Sequence, residues 1–576
     1  MRSKRRQTAI SPPDPKYEKV GTEYPPFSNL TTSKTIQTEL TPVKDGITRA
    51  TIGELVTYKV EIDIPDNLCL YAPKFEDLLP DGLSAVAGEA TYRIYGNAPV
   101  DMTIAARDSQ GRTLISAELV KVDAANGSPD PEIVFTIKAT VDQKFASGGN
   151  NSVADGAIIN NKATLTWNQT SGMGDDTPSS QEHEAALTIV EPKIESTGFT
   201  KKIEQVLDSL NGYNLVTTTR GHDDIVSTVI PKASNGKTSY YKYPAGGGNP
   251  ELVTDVQVVL PEDCIEYLIT VTNTGTAHAF DVKISDILPP NSAVTYVLPE
   301  GTSPFDAGTL PYQNGTLNSK LSLIVDNSFP HEGVTCTKLT FIIDMIAPND
   351  SAEILYRVKV NQGLGAGNYI GPNEATLEDY GSLPDQAFDE DIQVGNLQGG
   401  AEVYDNSLER DATSDPAYPK RGPVGEDIGV QYPEFSTTVY RRYDMEGREI
   451  TPPTPLTAAT NIRIGELLTY ELTATLPRYT VLFDGGASGN ALAFRHRLNP
   501  GYHLLTGSEE LDGTLVAGLT RKGDPVMTVL NSMQNPTWLF EDIANGTNSA
   551  QTATLRFEVE VRSKEYNDNP YFTDQP

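Results

Sequence analysis

The chain is poor in cysteine, histidine and positive charge, and each shortage excludes something. Three cysteines in 576 residues, Cys69, Cys264 and Cys336, cannot build a disulfide framework, which needs a larger and usually even set. Cys264 and Cys336 both open predicted strands and could pair, but buried free thiols are the simpler expectation. The six histidines (His183, His222, His278, His331, His496 and His503) are scattered and form no H-E-x-x-H pair. Lysine and arginine total 45 against 77 acidic residues, a net charge of −32. Neutralising phosphates needs clustered basic side chains, so nucleic acid and anionic membrane surfaces are poor partners. No apolar run approaches the ~18 residues of a membrane span. No glycine-rich phosphate loop follows a strand and no nucleophile elbow occurs, so nothing points to an enzyme. Cofactors are not expected. Calcium is the one cation with candidate carboxylates, at Asp175 and Asp176 or at Asp389, Glu390 and Asp391. Neither group has EF-hand spacing, and solvated loops explain them more simply. The N-terminus, MRSKRRQTAISPPDPKYEKV, is basic but lacks the apolar core of a secretory signal, and the last residues carry no sorting motif. From those ends the expectation is either a piece of something longer or a chain that leaves the cytoplasm by an unusual route.

What the chain does have is internal repetition. IGELVTYKVEIDIP and CLYAPKFEDLLPDGLSAV, near 52–86, find a second version in CIEYLITVTNTG and TAHAFDVKISDILPPNSAV, near 264–294. A third appears in IGELLTYELTATLP at 464–477. Repetition at this spacing means a string of similar modules. Within each copy the apolar residues alternate: Val56, Tyr58, Val60 and Ile62; Tyr267, Ile269 and Val271; Leu468, Tyr470 and Leu472. Period two with Val, Ile, Thr and Tyr marks half-buried strands, and Gly, Pro, Asn and Asp punctuate them throughout. The expected fold is all-β: tandem immunoglobulin-like β-sandwich modules with long loop insertions.

Later segments recur in the same order. PEIVFTIKATVD (131–142), SAEILYRVKVNQ (351–362) and TATLRFEVEVRS (552–563) match, followed by NNKATLTW (160–167) and PNEATLED (372–379). These fix the expected boundaries. Residues 1–30 are a flexible, Pro-rich lead-in. Repeat 1 covers 31–192, repeat 2 covers 193–420 with an acidic, Gly-rich tail, and repeat 3 covers 431–576. Repeat 3 has no counterpart of the NNKATLTW segment, so it is expected to be degenerate and to lack a closing strand. A sandwich missing a strand presents an unpaired edge, which a neighbouring chain could fill by donating one.

The phrase YLITVTNTGTAHAFDVKISDILPPNSAVTYV resembles the conserved-repeat domains of large bacterial surface proteins. A lysine in the first strand, an aspartate in the D-x-L-P turn and an asparagine in the closing strand also resemble fimbrial isopeptide-forming domains. Ser382–Pro384 and Glu409–Arg410 look like the late segments of such repeats. The resemblance implies that a lysine amine attacks an asparagine carboxamide beside a protonated carboxyl group, releasing ammonia once per domain. Carried over residue by residue, it selects Lys34, Asp77 and Asn161 in repeat 1, and Lys201, Asp286 and Asn373 in repeat 2. Lys201 is preferred to Lys202 because, like Lys34, it lies two residues before an isoleucine. Repeat 3 departs: its opening strand carries Arg441 and Arg442, and His496 stands where the aspartate would be. Arginine stays protonated and cannot serve as the nucleophile.

The resemblance implies a structural stalk or adhesin scaffold at the cell surface or secreted, with neighbouring repeats or subunits as partners and an unidentified host, glycan or cell-wall ligand. Two other expectations are a subunit of a self-assembling extracellular filament or coat closed by donor strands, and a carbohydrate-binding accessory region of a larger enzyme.

Overall fold

The structure is a computed structural model whose described residues fall within 30–562. The larger segments outside the description are 1–29, 125–130, 169–177, 216–238, 243–250, 298–320, 385–409, 411–419, 483–491 and 563–576, with several shorter ones. The lead-in expected at 1–30 and both candidate calcium groups therefore lie almost wholly or wholly outside the described residues. Among the described residues the architecture is all-β, with one short 3-10 turn at Ser196–Gly198 and sandwiches in two compact units. Among the described residues no helix is long and apolar enough to cross a membrane.

The first unit, mainly residues up to Ile189, is one sandwich. Its main strands are β1 (Thr31–Thr38), β2 (Leu55–Asp63), β3 (Cys69–Leu79), β4 (Leu83–Ile94), β5 (Thr113–Glu118), β6 (Ile133–Val141), β7 (Ile158–Asn168) and β8 (Ser179–Ile189). One sheet runs β1-β2-β6-β4, and the facing sheet runs β8-β7-β3-β5. Alternation dictates the packing. Val56, Tyr58, Val60 and Ile62 point inward from β2 and are at most 2% exposed, as period two requires of a sheet with one face on a core. Phe75 of β3 stacks on Phe135 of β6 across the two sheets, with ring centroids 3.9 Å apart.

The second unit holds two sandwiches. The first comprises β9 (Phe199–Asp208), β10 (Asp263–Asn273), β11 (Ala279–Pro290), β12 (Val294–Val297), β13 (Leu321–His331), β14 (Val334–Ile346), β15 (Asp350–Val360), β16 (Tyr369–Gly381) and β17 (Arg421–Val430). Its sheets run β9-β10-β15-β12 and β17-β16-β11-β14-β13. Residues 421–430, which the repeat boundaries leave between modules, pair with β16 and belong to this sandwich. The tie from the preceding chain is specific. Asn273, fully buried, accepts hydrogen bonds from the backbone N–H of Lys193 and Gly275 and donates to the carbonyls of Ala277 and Ile346. The N-T-G-T phrase is therefore a fastener between linker, turn and strand.

The second sandwich comprises β18 (Glu434–Tyr443), β19 (Glu449–Pro455), β20 (Leu467–Leu476), β21 (Leu492–Arg495), β22 (Val526–Leu530), β23 (Met533–Phe540) and β24 (Gln551–Val561). Its sheets run β19-β18-β20-β24 and β21-β23-β22. In the other sandwiches β3 and β11 are paired on both sides, by β7 and β5 and by β16 and β14. Their counterpart β21 pairs with β23 on one side, and among the described residues no strand lies on the other. The two sandwiches of this unit meet through a buried ion pair of Arg478 with Asp263 at 2.8 Å and a parallel bridge from Leu364–Gly365 to Thr480–Val481. All three cysteines are free; Cys264 and Cys336 lie in different sheets.

Candidate functional site: a buried lysine, carboxyl and carboxamide in two cores

Strand register brings the same three residue types together twice. In the first sandwich, Lys34 faces Val60 across the β1–β2 ladder, and Asp77 faces Ala163, two residues past Asn161. In the second, Lys201 faces Ile269 across β9–β10, and Asp286 faces Ala375, two residues past Asn373. Side chains two apart on a strand share a face, so each carboxyl and each carboxamide point into the core together.

In the first core, the Lys34 ammonium lies 2.8 Å from Asp77 Oδ2, and Asn161 Nδ2 donates to the same oxygen at 3.3 Å. Amine and amide thus converge on one carboxylate atom. The Lys34 side chain is 1% exposed, and Asp77 and Asn161 are 0% exposed. The ammonium also lies over the Tyr58 ring, 5.3 Å from its centroid. In the second core, Lys201 contacts both Asp286 oxygens, at 2.7 and 2.8 Å. It sits 4.9 Å from the Tyr267 ring centroid and 5.6 Å from that of Tyr356. Here the link from carboxyl to carboxamide runs through a hydroxyl. Tyr356 donates a short hydrogen bond to Asp286 Oδ2, and Asn373 Nδ2 donates to the Tyr356 hydroxyl at 3.1 Å. Lys202, the alternative nucleophile, is exposed and paired with Glu204.

Burial sets the electrostatics. Taking a charge out of water favours its neutral form. Desolvation lowers Lys34 against the opposing pull of Asp77, and raises Asp77 against Lys34. Likewise it lowers Lys201 to about 8 and raises Asp286. The two partners move toward each other, toward a neutral amine beside a carboxylic acid. Several polar atoms stay unsatisfied in these cores: Asp77 Oδ1, Asn161 Oδ1 and the Tyr58 hydroxyl in one, Asn373 Oδ1 and the Tyr267 hydroxyl in the other. An unmade hydrogen bond on a buried group costs about 1–3 kcal/mol. The arrangement is therefore an expensive way to fill a core, and it has the parts for a condensation: a nucleophile that can be neutral, an acid and an amide.

Among the described residues the third sandwich does not bring these partners together, and register corrects one detail. Arg441 and Arg442 do not occupy the lysine position. Val439 faces Tyr470 as Ile36 faces Tyr58, so the counterpart of Lys34 is Thr437, which is exposed. Arg441 instead lies at the far end of β18, ion-paired to Glu466. His496 follows β21, its ring 4.8 Å from that of Tyr470, and burial lowers its pKa. Tyr356 escaped the motif comparison altogether. Among the described residues no group of three or more His, Cys, Asp or Glu is placed to hold a metal ion.

No family model and no curated protein matches the sequence. Among solved structures, the chain is similar to a 35 kDa C-terminal fragment of the major pilin GBS80 of Streptococcus agalactiae, with 12% identity, 66% of this chain and 97% of that one covered, and a TM-score of 0.21. It is also similar to the full-length major pilin SpaD of Corynebacterium diphtheriae, with 11% identity, 69% and 65% covered, and a TM-score of 0.19. BcpA, the major pilin subunit of Bacillus cereus, gives 16% identity, 43% and 60% covered, and 0.20. Likenesses of that size do not bear on function, which has to be read from the two cores themselves.

Proposed function

We propose that the chain is a structural, non-enzymatic repeat region, a stalk or adhesin scaffold of a bacterial surface or secreted protein, whose first two sandwiches each close one internal amide bond. The bonds join Lys34 to Asn161 and Lys201 to Asn373. The observation that carries this reading is the same lysine, carboxyl and carboxamide at the same register in two separate cores, buried and drawn together. The neutral amine attacks the carboxamide carbon, an N–C bond forms, the bond to Nδ2 breaks and ammonia leaves. One proton of the lysine ammonium departs with the ammonia and a second remains on the carboxyl group, whose raised pKa suits it to keep one. The reaction occurs once, so it matures the protein rather than turning over a substrate. Each bond replaces a buried charge pair with a neutral amide and ties a sandwich's first strand to its closing region. The same covalent reinforcement would substitute for the disulfides the chain lacks.

The test is the intact mass of the folded protein. Two bonds reduce the mass by two ammonias; an unshifted mass in a folded sample overturns the reading. A second reading, assembly by donated strands, is favoured by the edge of β21 that has no partner strand among the described residues. Size-exclusion across a dilution series checks it, with a monomer at all concentrations counting against it.

A further inference from the structure

We propose that Tyr356 is a catalytic residue of the second sandwich, a proton relay between Asp286 and the leaving nitrogen of Asn373; this rests on the amide-bond reading above. The two cores differ in one functional connection. In the first, Asn161 Nδ2 touches Asp77 Oδ2 itself, so the carboxyl group can hand its proton directly to the nitrogen that must leave. In the second, the Tyr356 hydroxyl stands between them, bonded to Asp286 Oδ2 and 3.1 Å from Asn373 Nδ2. Register assigns the difference to one position. Tyr356 faces Tyr267 on the β10–β15 ladder, and its counterpart facing Tyr58 on β2–β6 is Ile137. The first core has no hydroxyl there to use.

Lys201 gives its first proton to Asp286 and becomes a neutral amine. Its nitrogen attacks Cγ of Asn373, and the carbonyl electron pair moves onto Oδ1. In the ground state the Asn373 nitrogen is an amide and donates to the tyrosine hydroxyl; in the tetrahedral intermediate it is an amine with a free pair. The hydroxyl then accepts from the Asp286 acid and donates to Nδ2. The Cγ–Nδ2 bond breaks and ammonia departs. The attacking nitrogen's second proton ends on Asp286, and Tyr356 is regenerated as a neutral phenol. Burial holds its pKa well above the usual range, so it stays protonated and passes a proton on only as it receives one. A bond that strengthens only as the intermediate forms accelerates the step itself.

The experiment uses the full chain, collected unfolded in denaturant and refolded by dilution, with both cross-linked peptides followed by mass spectrometry over time. In Tyr356→Phe, the Lys34–Asn161 bond keeps its unaltered rate and serves as an internal clock. The Lys201–Asn373 bond is expected to slow ~100-fold, the usual worth of a positioned general acid. If the second bond keeps pace in the variant, the relay is wrong while the amide-bond reading stands. If neither bond forms in the unaltered chain, that reading itself has failed. A second measurement needs no variant and reports proton transfer rather than packing. Rates in mixtures of light and heavy water should fall along a curve for the Tyr356 core, where two protons move together, and along a straight line for the first core. A straight line for both overturns the relay.

Discussion

Burying a lysine and a carboxyl group together rarely stabilises a fold by itself, because desolvation of the two charges offsets their attraction. At the residue scale, that is the puzzle posed by Lys201 and Asp286, whose side chains are both 0% exposed. The cost becomes intelligible if the pair is a reactive intermediate that maturation removes. Asp286→Ala should leave the Lys201–Asn373 bond unformed and the lysine alone in the core. Loss of a buried partner costs about 3–5 kcal/mol and the missing cross-link adds to it, so equilibrium unfolding should show a drop of at least that order in the second unit, with the mass one ammonia above that calculated for a cross-linked Asp286→Ala chain. Asp77→Ala should do the same to the first sandwich alone. Loss of both bonds from either single variant would show that the cores are not independent. The pH dependence has a definite sign. The reactive pair holds one proton between amine and carboxyl. Acid adds a second proton and blocks the amine; alkali above the lysine's value of about 8 removes the last one and leaves no acid. The rate of Lys201–Asn373 bond formation should therefore pass through a maximum and fall above about pH 8. A rate still climbing at pH 10 would mean that no acid is required.

At the element scale, register is what makes a site out of a motif. Gly275 illustrates how tightly one turn is held. A Cβ there would lie 2.4 Å from both the Glu191 carbonyl oxygen and the Lys193 nitrogen, which are backbone and cannot yield cheaply. Gly275→Ala should destabilise the second unit by about 1–3 kcal/mol, the usual range for forced overpacking, and leave the first unit's melting unchanged. An unaltered melting profile would mean the linker can detach freely. The alternating strands were legible in the sequence because each has one buried face, and Val, Ile and Tyr at every second position record it. Lys34, Asp77 and Asn161, with Lys201, Asp286 and Asn373, were legible because two copies could be compared and each residue sits at a fixed distance from an unmistakable turn or strand. Tyr356 was not. A tyrosine on an inward face is unremarkable in a β core, and SAEILYRV laid against PEIVFTIK by eye does not show that its partner is Ile137. Thr437 was missed for the related reason that basic residues look like equivalents until the ladder is counted from Tyr470. Composition and period record burial; they do not record which residue faces which.

At the scale of the whole molecule, the three sandwiches should respond differently to load. A bond from Lys34 to Asn161 closes a loop spanning nearly all of the first sandwich, and one from Lys201 to Asn373 does so in the second. By the loop-entropy argument used for disulfides, each should contribute about 4–5 kcal/mol. Asn161→Ala with Asn373→Ala should thus lower the unfolding midpoints of the first two sandwiches and spare the third, which has Thr437 at the register of the reactive lysine. Pulling the chain from its ends makes the sharper prediction. Force entering the first sandwich passes from β1 across the new amide to β7, so residues between the bonded side chains carry none of it and do not extend. What can extend there is β8 and its flank; in the second sandwich it is the remainder of β16 and β17. The third sandwich has no such shunt and should unravel fully, at up to ~3.5 Å per residue. Single-molecule traces of the unaltered chain should therefore contain one full-domain extension and two short ones. The double variant should contain three full-domain extensions, its total length exceeding the first by the two bracketed segments. Equal total extension in both proteins would refute the covalent shunt, whatever the intact mass reports.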